Sequence, residues 1–560
     1  MTDICVSHLS FSYPSMDGRI SPRPALDDIS FKVERGEFLL LCGASGSGKT
    51  TLLRLLKPEI APRGSLTGSI EYFGGDADPD VSLRIGYVGQ NPDASIVTDK
   101  VYHELAFGLE SQGADNALMR RRVAELSHYF GISQYFRQDT ATLSGGQKQI
   151  LSLASVLATD PDILLLDEPT SQLDPVTASA FLSALHRLNR ETGITVILSE
   201  HRLEDIFPIC DRVLTVDKGR LITDAPPATA VRELYDSIME PALPSASRIY
   251  RLLGGEGEPP LSVREGREWV ENSFSPSGKS VDKTNAALDD GETDADSGSL
   301  AMSVSNIRFR YERGGEDVLR GVSLDIKKGS CTCILGGNGS GKSTLLSCMS
   351  GLETPFGGKV SVYCEGGKKK SPEQCLGRGI AYLPQDAADV FACDCIADDL
   401  YETLERVEPS MSKEEIRASV KTYTDGFGIS ELVGAHPYDL SGGELQRFAI
   451  IKSMLSKPSI FLLDEPTKGL DPLCKKELAR ILSELCKSGV AVVFVSHDVE
   501  FASDAADRCT MLFDGELTPP ETPKEFFSNN LFYTTATSRI LRNILPGAVK
   551  CKDAEGLIKK

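Results

Sequence analysis

The feature that constrains this chain most is that it says the same thing twice. The pattern Gly43-Ala-Ser-Gly-Ser-Gly-Lys49-Thr50 returns as Gly336-Gly-Asn-Gly-Ser-Gly-Lys342-Ser343, with Lys342 293 residues after Lys49. Leu143-Ser-Gly-Gly-Gln147 returns as Leu440-Ser-Gly-Gly-Glu444, and Ile163-Leu-Leu-Leu-Asp167-Glu168 as Ile460-Phe-Leu-Leu-Asp464-Glu465, both at a spacing of 297. His201 and His497 stand 296 apart. An offset that drifts so little means shared order and spacing throughout, hence a tandem duplication of one domain.

Composition narrows the class. A chain of 560 residues, 41% hydrophobic, holds several ordinary cores. Its 60 basic against 80 acidic residues leave a net charge of −20, a field that repels nucleic acid, so no such partner is expected. The longest apolar runs, near Phe38–Cys42, Ile163–Leu166 and Val490–Val495, are strand-sized, far short of the roughly 20 residues a bilayer demands. The start Met1-Thr2-Asp3-Ile4 has no basic-then-apolar leader pattern. The 14 cysteines read as reduced thiols, and Cys331-x-Cys333 and Cys393-x-Cys395 lack zinc-ribbon spacing.

Each half carries strand-like runs (36–42, 163–167, 195–199) separated by helical patterns, which predicts an α/β fold with a largely parallel sheet. The basic stretch 115–130 reads as a solvated helical face. From Gly254 to Ser299 there are 11 acidic and 4 basic residues among Gly, Pro and Ser. That composition predicts a flexible linker, with Trp269 as a linker position and a reach of roughly 35–40 Å. The expected boundaries are a first domain over 1–243, an acidic linker over 244–299, a second domain over 300–528 and a C-terminal tail over 529–560.

The Gly-rich loops follow a strand and open a helix, so their N–H groups converge on phosphate oxygens at a positive helix end. Gly43, Ser45, Gly46 and Gly48, with Gly336, Asn338, Gly339 and Gly341 in the repeat, form the cradle. Lys49 and Lys342 would reach the outer phosphates of an ATP-type ligand, flanked by Thr51 and Thr344. The Thr50 and Ser343 hydroxyls would bind Mg²⁺. Asp167 and Asp464 end apolar strands and would hold Mg²⁺ through water, while Glu168 and Glu465 would polarise an attacking water. His201 and His497 read as γ-phosphate sensors, and Gln90 and Gln385 as Mg²⁺ contacts that also link to a partner.

In that order the motifs resemble the ATP-binding cassette ATPases over nearly all of both halves, the linker and the last 30 or so residues excepted. The resemblance implies two P-loop nucleotide-binding domains in tandem, each with a helical signature subdomain, and ATP with Mg²⁺ as ligands. It makes Tyr13 and Tyr311 adenine-stacking residues. It also implies head-to-tail composite sites. Lys49, Thr50, Gln90, Asp167, Glu168 and His201 would work with Ser441, Gly442, Gly443 and Glu444, and the second half's set with Ser144, Gly145, Gly146 and Gln147. A tethered partner raises effective concentration to about millimolar, favouring pairing within one chain. Two departures, Ile150 where the second half has Arg447 and Gln172 in a usually small position, predict unequal turnover at two competent sites, while Glu444 for Gln is a substitution often seen in the family.

The run Gln90–Leu109 and Ser199-Glu-His-Arg-Leu-Glu-Asp205 are similar to the fused ATPases of energy-coupling-factor importers of vitamins or of cobalt and nickel. That likeness implies a place at the cytoplasmic face of the membrane, a transmembrane subunit whose coupling helices sit at 90–109 and 385–400, and a membrane substrate-binding subunit. The alternatives are soluble tandem cassettes acting on ribosomes or nucleic acid, and tandem sugar importers.

Overall fold

The computed structural model describes residues 1–14, 24–75, 80–171, 173–274, 299–364, 368–377 and 379–557. They form two compact units, Met1–Arg248 with Glu256–Ser262, and Ile249–Gly255 with Val263–Lys560.

Each unit is built on a six-stranded sheet of the same order. In the first it runs 85–88, 163–167, 195–199, 38–42, 212–217, 220–225; in the second, 380–383, 460–464, 491–495, 331–335, 508–513, 516–517. The first five strands of each are parallel and the last is antiparallel. Phe38–Cys42, Ile163–Asp167 and Thr195–Ser199 are buried at every residue, as are Cys331–Leu335, Ile460–Asp464 and Ala491–Val495. A parallel strand covered on both faces needs an unbroken apolar run rather than alternation, which is why these segments read so clearly.

An antiparallel sheet (Leu26–Glu34, Thr2–Ser12, Ser65–Tyr72, and its second-half counterpart around Leu300–Phe309) packs on one face of the parallel core. A helical subdomain completes each half. In the first, Val101–Ser111, Asn116–Tyr129 and Gly145–Ala158 meet around Val101, Leu105, Val123, Leu151 and Ala154. The basic stretch lies on the second of these helices, where Arg122 pairs with Asp160 at 2.5 Å, in keeping with a solvated face.

Two expectations need correction. The stretch 244–299 is not a coil in its described part: helices run over Ser245–Leu252 and Val263–Ser273. Trp269 is a packing residue, its ring 4.6 Å from Tyr250 and 5.6 Å from the fully buried Phe274. Local apolar spacing outweighs the acidic average here; residues 275–298 lie outside the described set. Nor is 529–557 a loose tail. Helix Ala536–Leu541 buries Ile540 and Leu541, and Val549 joins the second unit's core. Among the described residues no helix is long and apolar enough to cross a membrane.

Candidate functional site

Both phosphate loops have the shape that their glycines dictate. Gly46, Gly48, Gly339 and Gly341 have φ between 74° and 105°, a region that side chains avoid. At Gly43 a Cβ would lie 2.1 Å from the Val216 carbonyl oxygen, and at Gly336 2.6 Å from that of Leu512. The following helices, Lys49–Leu55 and Lys342–Ser350, start at Gly48 and Gly341 with no side-chain cap, leaving first-turn N–H groups for an anion. Lys49 Nζ donates to the Gly43 and Ala44 carbonyls (2.9 and 3.1 Å), and Lys342 Nζ to those of Gly336 and Gly337 (3.0 Å each). Ser47 Oγ and Ser340 Oγ are buried in the loops without hydrogen-bond partners. Ser45 and Asn338 lie mid-loop.

The acidic pairs stand opposite. Thr50 Oγ1 donates to Asp167 Oδ1 at 3.2 Å, as does Ser199 Oγ at 2.8 Å, and the Tyr87 hydroxyl donates to Oδ2 at 3.2 Å. Burial raises the Asp167 pKa; the Ser199, Thr50 and Tyr87 donors pull it back. In the second half burial pushes Asp464 up to about 6 against Ser343, Lys342 and Tyr382. One of its buried oxygens, Oδ1, has no hydrogen-bond partner. A hydroxyl beside a carboxylate, both oxygen donors, suits Mg²⁺, which keeps waters and takes few protein ligands.

Glu168 and Glu465 adopt left-handed backbone (φ 47° and 49°), a costly conformation for a side-chain-bearing residue, of order 1–3 kcal/mol. That turn aims their carboxylates toward the histidines. His201 Nε2 lies 2.8 Å from Glu168 Oε1, and Gln90 Nε2 donates to Oε2 at 2.9 Å. His497 Nδ1 lies 3.0 Å from Glu465 Oε2, and Lys342 Nζ is 4.0 Å from Oε1. Burial pushes Glu465 up, but His497 and Lys342 outweigh it and hold the carboxyl below its usual range. Gln385 follows strand Ile380–Leu383 as Gln90 follows Ile85–Val88. Tyr13 and Tyr311 are exposed at the loops, their hydroxyls hydrogen-bonded to Thr51 (3.0 Å) and Thr344 (2.8 Å).

The signature segments start helices Gly145–Ala158 and Gly442–Leu455. Ser144 and Gln147 form a capping box; in Ser441 and Glu444 the acceptor is a carboxylate, which takes both the Ser441 N–H (2.9 Å) and its hydroxyl (2.7 Å). Gln172 lies outside the described residues. The loop after Gln90 is pinned by Glu104, which accepts from Val97 N and Thr98 N (3.1 and 2.8 Å); Asp399 does the same for Ala392 and Cys393. Sequence reasoning passed over these two acids. Their recurrence 295 residues apart was the available signal. Beside the first of these loops opens a cleft of about 260 Å³ lined by Asp93, Ile96, Thr98, Thr140, Ala141 and Lys148.

The arrangement thus has the parts for phosphate capture and water activation in each half. The ABC transporter family matches residues 26–171 and 319–468. A Bacillus thuringiensis subsp. konkukian (strain 97-27) protein, provisionally named an ABC transporter ATP-binding protein, is 38% identical over 553 residues, 98% of this chain and 97% of its own. A similarly named protein of Clostridium tetani (strain Massachusetts / E88) is 32% identical over 440 residues, 79% of this chain and 95% of its own. Among solved structures, the archaeal ribosome recycling factor aABCE1, crystallised with ribosomal stalk protein aP1, gives a TM-score of 0.56 at 22% identity, covering 94% of this chain and 91% of that one. That likeness concerns the fold alone. With both halves matched by the family and a relative matched nearly end to end, the chain belongs to the ABC transporter family as a tandem pair of its ATPase domains.

Proposed function

We propose that this chain is the ATP-hydrolysing subunit of an importer of the energy-coupling-factor type, driving a separate membrane subunit. The observation that carries the hydrolytic part is the duplicated carboxylate–histidine pair, Glu168 with His201 and Glu465 with His497, each beside a Gly-rich loop and its lysine. The loop N–H groups and Lys49 or Lys342 bind the phosphates, and Tyr13 or Tyr311 offers a ring to adenine. Mg²⁺, held by Thr50, Gln90 and Asp167, or by Ser343, Gln385 and Asp464, would neutralise phosphate charge. Glu168 and Glu465 orient the attacking water and draw on its proton, and the histidines keep those carboxylates in place. On this reading each site would be completed by the opposite half's signature, Ser441–Glu444 or Ser144–Gln147, so that ATP would draw the halves together and hydrolysis release them.

The transport part is supported by the relatives' designation and by the cleft. Its wall begins at Asp93, three residues beyond the glutamine whose amide holds Glu168. A helix of a membrane subunit seated between Gln90 and Leu109, and another between Gln385 and Leu400, would therefore bear on the reacting water. In this reading the chain works at the cytoplasmic face of the membrane, bound through that subunit and a substrate-binding membrane protein. The test is affinity capture of the tagged full chain from detergent-solubilised membranes, with ATPase assays before and after. Integral membrane proteins that co-purify and alter the rate support the reading; capture of ribosomal proteins instead rejects it.

A further inference from the structure

A segment near the C-terminal end of the second unit reaches the second phosphate loop. Residues 530–535 join helices Pro523–Asn529 and Ala536–Leu541, and three of their carbonyls are tied down. Arg542 Nη2 donates to Asn530 O at 2.5 Å, and Arg539 Nη2 to Phe532 O (3.4 Å) and Thr534 O (3.3 Å). Thr534 Oγ1 donates to Phe527 O. The Arg539 carbonyl in turn accepts Arg267 Nε at 3.0 Å from helix Val263–Ser273. Tyr533 sits inside this braced strap, and its hydroxyl lies over the loop: a Cβ built on Gly337 would be 3.7 Å from it. Gly337 matters because its carbonyl is one of the two that hold Lys342 Nζ.

The first half solves the same problem differently. Ala44 stands at the position of Gly337, so the first loop has three glycines (43, 46, 48) and the second has four (336, 337, 339, 341). Matching Ser247-Arg248-Ile249 with Ser538-Arg539-Ile540 puts Ala242 at the position of Tyr533. An extra glycine widens the range of loop shapes that phosphate binding must collapse, whereas a Cβ narrows it from within. A fixed side chain against the glycine narrows it from outside.

We propose that Tyr533 is a positioning residue of the second nucleotide site, restraining the 336–338 segment and through it the ammonium of Lys342. This rests on the nucleotide-binding reading given above. The test titrates a fluorescent ATP analogue into full-length chains with one site disabled, Lys49→Ala leaving the second site and Lys342→Ala the first. In the Lys49→Ala chain, Tyr533→Ala weakens binding about two- to fivefold, the range of one restrained backbone position. Tyr533→Phe, which removes the hydroxyl that lies over the loop, shows part of that loss, and adding Gly337→Ala to Tyr533→Ala recovers most of it, which a merely structural role does not explain. In the Lys342→Ala chain Tyr533→Ala leaves binding unchanged. Unaltered affinity in the Lys49→Ala chain, or an equal loss in both chains, overturns the proposal. If neither single-site chain binds the analogue before Tyr533 is touched, the nucleotide-binding reading falls and this inference with it.

Discussion

Around Asp167 and around Asp464 the two halves hold the same acid in different company. Asp167 receives three hydroxyls, from Thr50, Ser199 and Tyr87. In the second half Val495 stands where Ser199 stands in the first, and Asp464 Oδ1 is left buried without a hydrogen-bond partner. The next position diverges too: Glu200 is buried, accepting from Thr170 N at 2.8 Å and from its hydroxyl, while the second half has Ser496. Ile150 packs against the first half's apolar core, whereas Arg447 donates to the Gly443 and Phe427 carbonyls at 3.2 and 3.1 Å. The acids, lysines and histidines recur in both halves, while part of what surrounds them does not: Ser199, Glu200 and Ile150 stand against Val495, Ser496 and Arg447.

This contrast can be broken or sharpened by exchange. The largest effect is expected from Glu168→Gln and Glu465→Gln. Each removes the carboxylate that the proposed function assigns to polarising water, and the double variant should lose about 10²–10⁴-fold in ATP turnover. Single variants measured by steady-state hydrolysis should leave different residual rates, and equal rates would mean that the divergent surroundings do not reach the chemistry. Next comes Arg447→Ile, which installs the first half's residue. It strips the buried Phe427 carbonyl of its donor, while the Gly443 carbonyl keeps its helix bond, and should cost about 1–3 kcal/mol in denaturant unfolding of the second half, while Ile150→Val costs about 1 kcal/mol or less.

Ser199→Val copies the second half's arrangement into the first. Losing one buried donor to Asp167 should destabilise by about 1–2 kcal/mol, read as a lowered midpoint in thermal unfolding. The reverse change, Val495→Ser, gives Asp464 Oδ1 a partner and should cost less than an ordinary Val→Ser in a core. Glu444→Gln is the mildest test. It exchanges a carboxylate cap for the amide that Gln147 provides, at a cost of about 0.3–1 kcal/mol in stability. It should bring the residual rates of the two Glu→Gln single variants closer together.

What was legible in the sequence follows the same division. Loops, acids and histidines were readable because each needs one residue type at one spacing, and the buried parallel strands because they are apolar throughout. Helices 245–252 and 263–273 were not, because Tyr250, Trp269, Val270 and Phe274 are thinly spread in a stretch whose average is acidic and Gly-rich. Their partners lie far along the chain: Arg267 bonds to Arg539, and Asn543 to Glu271 at 2.7 Å. The antiparallel sheet also escaped notice, since its Ser65–Tyr72 strand is largely exposed and gives a weak alternation. Glu104 and Asp399 looked like ordinary helix charges until burial showed them pinning a loop.

The left-handed backbone at Glu168 and Glu465 has a consequence for how such a chain ages. A glycine at either place would relax the main chain but strip the histidine, and Gln90 in the first half, of a carboxylate partner, and on the proposed function would leave a dead centre. Drift toward an easier backbone is therefore open at these two positions only at the expense of the proposed chemistry, and both copies hold the awkward residue.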